Sequence, residues 1–147
     1  MTAPNNVHIS IIVCKGSPLD YQQYRHTAFW IQFDDPSTTP AIMAHITGTA
    51  GMFQFEFQET NSDPTSSSNF AKQIEVGFLI TPATPSQLRL VLQRIPIDNW
   101  SREFNCQSWI ERALKTLMVD GCISASAYER GLDGMVDAIA EAEDEEE

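Results

Sequence analysis

Hydrophobic residues recur at every second position up to Ile80 and at every third or fourth from Thr84 onward. A period of two belongs to strands with one buried face, and a period near 3.6 to helices with one buried stripe. A chain that changes period once and does not change back lacks the alternating units of a parallel sheet. It reads as a block of antiparallel strands covered by a block of helices, an α+β fold of about five strands and three helices. The 147 residues suffice for one such domain and are too few for two.

The strand block divides at its turn residues. A first strand places Val7, Ile9, Ile11 and Val13 on one face, and residues 15–20, with Gly16, Ser17 and Pro18, read as a turn. A second strand, over 24–33, sets Thr27, Phe29, Ile31 and Phe33 against His26, Ala28 and Trp30. A loop over 34–40 leads to a third strand over 41–47. The fourth, over 52–59, opposes Phe53, Phe55 and Phe57 to Gln54, Glu56 and Gln58, the pattern of a sheet with one buried face. After a Ser-rich loop, a fifth strand over 72–80 directs Ile74, Val76, Phe78 and Ile80 inward.

The helix block opens on Thr84-Pro85-Ser86-Gln87. Thr84 suits the N-cap, Pro85 the first helical position and Gln87 the reciprocal arm of a capping box. Asn105 is a good N-cap for a second helix. Its stripe is Cys106, Trp109, Ile110, Ala113, Leu114 and Leu117, and Gly121 suits its end. A third helix runs from about Ser126 past Ile139.

Charge bounds the function. The net charge is -11, and seven acids between Asp137 and Glu147 account for most of it. Such a run repels itself and reads as a solvated tail, so the domain is assigned to 1–136 and an acidic, disordered tail to 137–147. A chain without a basic cluster is a poor nucleic-acid binder, because phosphate contacts need Lys and Arg. No secretory signal and no apolar run of membrane-spanning length is present, so no integral membrane segment is expected. Cys14, Cys106 and Cys122 are odd in number and widely spaced, and read as reduced thiols of the cytoplasm or nucleus. They form no CxxC or HxxxH pair with one another or with His8, His26 and His45, which argues against a zinc site. No cofactor is implied.

Cys106 carries the most specific chemistry. In the first turn of a helix the free N–H groups and the macrodipole favour a thiolate, which is the nucleophilic form. The bland reading of a cysteine on an apolar stripe is a small core residue. A nucleophile also needs a base, and His26 and His45 both lie on expected strands beside small or polar residues.

The segment Tyr24-Arg25-His26-Thr27-Ala28-Phe29-Trp30-Ile31 resembles the strand that carries the catalytic histidine of lecithin retinol acyltransferase-like proteins. Residues 41–47, with His45, are similar to that family's next strand, which supplies a second histidine. Asn105-Cys106-Gln107-Ser108-Trp109 resembles its Asn-Cys-Glu-His-Phe box, and the order His, His, Cys is the same. The resemblance spans about residues 24–117. It departs at Gln107, Ser108 and Trp109, and the acidic tail stands where many members carry an apolar anchor.

The resemblance implies a circularly permuted papain-like (NlpC-type) fold. Cys106 is then nucleophile, His26 general base, and His45 the group that orients His26. Tyr24, Asn105, Gln107 and Trp109 flank these positions and are the substrate-binding candidates. The expected function is a cysteine-dependent hydrolase or acyltransferase that cleaves an amide or ester of a small molecule or peptide. The alternative is an inactive scaffold serving a protein partner.

Overall fold

The computed structural model describes residues 6–16, 19–34 and 39–143. Among them lie five strands, β1 (Val7–Cys14), β2 (His26–Phe33), β3 (Ala41–Thr47), β4 (Gln54–Thr60) and β5 (Phe70–Phe78). Three helices follow, α1 (Pro85–Gln93), α2 (Cys106–Val119) and α3 (Ala125–Ala140). The strands form one antiparallel sheet in the order β4-β3-β2-β1-β5. The α+β architecture is therefore the one the change of period dictates.

One face of the sheet makes the core. Ile9, Ile11, Phe29, Ile31, Ala44, Ile46 and Val76 are buried there beneath the stripes of the helices. α2 lies across β2 and β3, and α3 across β1 and β5. Each helix starts where its sequence allows. Thr84 and Gln87 close a capping box on α1, with Pro85 in the first turn. Asn105 and Ser108 close another on α2, and Ser124 caps α3. The approach of α3 to β5 depends on Gly134, where an added Cβ would stand 2.6 Å from Ile74 Cγ2.

Four expectations are corrected. The stretch 22–24 is a 3-10 turn, so β2 starts at His26 and Tyr24 stands before the sheet. Met52 also lies outside its expected strand, since β4 begins at Gln54.

The inner face of β5 is not Ile74, Val76, Phe78 and Ile80 throughout. Ile9 pairs with Gly77 while Ser10 pairs with Glu75, so Val76 is an extra residue in the ladder. This bulge, with Gly77 at φ +123°, exchanges the faces beyond it. Phe78 and Ile80 are 63% and 62% exposed, and Leu79 is buried in their place.

The acidic end is not all tail. α3 continues to Ala140 because Met135, Ala138 and Ala142 carry its apolar stripe through the acids. Gln22 Nε2 donates to the Ala142 carbonyl, and Tyr21 bridges to Glu143. The remainder of the acidic run, 144–147, lies outside the described residues, as do Ser17 and Pro18 of the expected turn.

Candidate active site

Pairing between β2 and β3 covers only Phe29↔Ala44, Trp30↔Met43 and Ile31↔Ile42. Toward His26 the two strands are no longer paired, although β2 stays paired with β1 as far as His26↔Cys14. The start of α2 meets β2 at this opening. The Cys106 thiol donates to the Arg25 carbonyl at 3.7 Å, and Gln107 Nε2 donates to the same oxygen at 3.0 Å and to the Gln22 carbonyl at 2.8 Å. Cys106 is 9% exposed.

A cleft of about 820 Å³ runs along the opening. His26 and Tyr24 stand on one side, Ile46, Thr47 and Phe53 on another, and Arg102 to Cys106 on a third. Asn99 holds the loop before α2 against the residue that leads into β4, accepting from the Phe53 N–H at 2.9 Å and donating to the Phe53 carbonyl at 3.2 Å. Trp100, next to it, is 98% exposed.

His26 and His45 alternate with core residues along their strands, so they stand on the sheet face away from the helices. His26 Nε2 lies 2.7 Å from His45 Nδ1. His45 Nε2 in turn lies 3.4 Å from Glu56 Oε1, across a register pair of β3 and β4. Glu56 Oε2 accepts from the Thr47 hydroxyl at 3.0 Å.

The row has a direction. A carboxylate favours the proton on His45 Nε2, which leaves Nδ1 as the acceptor. His26 must then donate through Nε2, and its Nδ1 is left unprotonated and basic. Both rings are neutral at pH 7. Burial, and then the neighbouring His45, lower the His26 pKa to about 4. Burial also lowers His45, although Glu56 pulls the other way.

The thiol is protonated at rest, because burial pushes its pKa up. Several groups work against burial. Thr27, through its N–H and its hydroxyl, favours a charged sulfur, as do the backbone N–H groups of Gln107 and Cys106. The Asn105 side chain takes the Gln107 and Ser108 N–H groups at 3.0 Å and 3.2 Å. The Cys106 N–H is the donor of the first turn that this cap does not use.

The remaining candidates divide. Tyr24 and Asn105 line the cleft. Gln107 is turned to the backbone of residues 22–25, and its amide is engaged in holding the start of α2 there. Trp109 is 0% exposed, packed on Phe29 and Phe55, and its expected contact with substrate is corrected to a core role. His8 stands apart, 3.4 Å from Glu75 and edge-on to Phe78.

Two residues of the site escape sequence reading. Glu56 reads as a solvent-facing residue until the β3–β4 register sets it opposite His45. Arg25 is buried, with its guanidinium on Asp20 at 2.8 Å and on the Ala138 carbonyl at 2.7 Å. Arg25 holds Asp20 down to about 2. Only the burial of a charge-bearing residue beside His26 would have signalled it.

These features define a class: an α+β domain with a cysteine at a helix start that shares a cleft with the first of two hydrogen-bonded histidines on neighbouring strands. The chain belongs to a family of unknown function, DUF6540, which it matches over residues 13–124. The match covers the two histidines, Glu56 and Cys106. No curated protein and no solved structure matches the chain.

Proposed function

We propose that this chain is a cysteine-dependent hydrolase or acyltransferase of permuted papain-like build, acting on an amide or ester of a small molecule or peptide. The observation that carries the reading is the row Glu56–His45–His26, whose last ring lines the same cleft as Cys106. In the first step His26 Nδ1 takes the thiol proton and the sulfur attacks the acyl carbon. The Cys106 N–H is placed to receive part of the oxyanion charge. The bond to the leaving amine or alcohol breaks, and His26 returns its proton to that group. Water or a second nucleophile then attacks the thioester, and the thiol is restored. A neutral histidine with a lowered pKa serves as acceptor only transiently, which matches a base that is unprotonated between turnovers. A reduced thiol of this kind belongs in the cytoplasm or nucleus. No helix of the described residues is long and apolar enough to cross a membrane.

The test is the intact mass of the chain after incubation with p-nitrophenyl esters of short acids. An acyl adduct on Cys106, absent in Cys106→Ala and formed roughly 10²- to 10⁴-fold more slowly in His26→Ala, is the expected outcome. No adduct at Cys106 over a series of esters and amides would remove the reading.

A second reading is favoured by one contact. The thiol bonds to a backbone carbonyl rather than to an imidazole. A papain-like scaffold that binds a protein partner through the cleft mouth and the exposed Trp100 keeps this contact permanently. In that case the adduct fails, and Trp100→Ala weakens partner binding.

A further inference from the structure

Thr27 is a buried residue with a hydroxyl that the fold does not use. Its exposure is 0%, and Oγ1 finds no hydrogen-bond partner among the described residues. Valine would fill the same volume without leaving a buried hydroxyl unpaired, which is costly. The position also has a direction. Arg25, extended just before β2, and Thr27 lie two apart, so the Arg25 carbonyl and the Thr27 N–H point the same way. The Cys106 sulfur sits on that carbonyl, where β3 no longer pairs.

We infer that Thr27 is a built donor for the Cys106 thiolate, its hydroxyl and N–H held ready beside the sulfur for the moment the proton leaves. The inference rests on the thiol chemistry proposed above, and deepens it. At rest the thiol donates to the Arg25 carbonyl, and the Thr27 hydroxyl is left without an oxygen or nitrogen partner. When His26 removes the proton, the carbonyl loses its donor and repels the sulfur, and the Thr27 donors hold the new charge. The fold thus carries an unsatisfied group in the resting state and satisfies it in the reactive one. Burial opposes the thiolate, and the Thr27 donors are the strongest of the contacts that offset it.

Other groups bear on the same sulfur. Cys14 on β1 is close enough that a Cys106 thiolate raises its pKa. His26 stands on β2, with His45 and Glu56 behind it on β3 and β4. Arg102 and Glu103 come from the loop before α2, and the Arg25 guanidinium is turned away to Asp20. Of these groups, none but Thr27 is an uncharged donor with an otherwise unpaired hydroxyl.

The test compares Thr27→Val, Thr27→Ser and Thr27→Ala in the full chain. The readout is the pH midpoint of iodoacetamide labelling at Cys106, by peptide mass spectrometry, with Tm measured alongside. Thr27→Val is expected to raise the midpoint by about one pH unit, or about tenfold slower labelling below it, without lowering Tm. Thr27→Ser is expected to keep the wild-type midpoint and Thr27→Ala to follow Val. The Ser and Ala pair isolates the hydroxyl even if Val does not fold. A wild-type midpoint in Thr27→Val or Thr27→Ala, or an equal shift in Ser and Ala, overturns the inference. Failure of acylation in the wild type with the midpoint shift intact would remove the enzyme reading and leave the thiolate donor standing. Acylation without the shift would do the reverse.

Discussion

The two halves of the sheet are built to different standards. β1 is paired on both sides, with β2 over its whole length and with β5 around a bulge, and α3 lies close on top. β2 and β3 meet at three residue pairs and then separate. The closed half has its backbone groups satisfied by neighbouring strands. The opened half satisfies them with side chains: a thiol and a glutamine amide, both on the Arg25 carbonyl. The contrast teaches that the candidate site sits where the ladder lapses, because there the Arg25 carbonyl faces a helix start instead of another strand.

Four variants or conditions press on that contrast. Trp109 is wedged under the point where β2 and β3 resume pairing, against Phe29 and Phe55. Trp109→Ala is expected to cost about 3–5 kcal/mol in urea denaturation, the most of the set, since it removes the largest of the fully buried side chains. A loss under about 1 kcal/mol would mean the half holds itself together by its backbone.

Acid strikes the opened half next. The folded His26 binds its proton near pH 4 and the unfolded one near 6.5. Between these values the unfolded chain holds more protons, so stability rises with pH and is lost as pH falls from 6.5 toward 4. The expected loss is about 2–3 kcal/mol, and His26→Asn is expected to flatten this part of the profile. An unchanged slope in His26→Asn would place the acid sensitivity elsewhere.

Gly134→Ala strikes the closed half. The methyl would meet Ile74, and a cost of about 1–3 kcal/mol is expected, with the labelling midpoint of Cys106 unmoved. Movement of that midpoint would show that the two halves are coupled. Trp100→Ala should change stability by no more than about 0.5 kcal/mol, because the side chain is 98% exposed.

The closed half was more legible in the sequence than the opened one. The single change of period dictated an antiparallel sheet under helices. The caps at Thr84 and Asn105 were legible because they are local chemistry. The bulge at Val76 was not, since the apolar alternation runs straight through it and Gly77 alone hints at a break. Trp109 looked like a ligand contact from its place beside the cysteine. Its burial is decided by Phe29 and Phe55, which are far away in the chain. Glu56 needed a register and Arg25 needed a partner on α3, and neither is a property of a short segment. The end of α3 was legible, since the third helix is read past Ile139, and the expectation of a tail from 137 came from charge alone.

Arg25 gives its backbone carbonyl to the thiol and its guanidinium to the last turn of α3. A chain shortened at residue 137 would remove the Ala138 acceptor and free the strand end that seats the sulfur. Loss of thiol reactivity in such a shortened chain would look like proof that the acidic end touches substrate. It would instead report a broken brace, and only a charge-neutralised end of full length distinguishes the two.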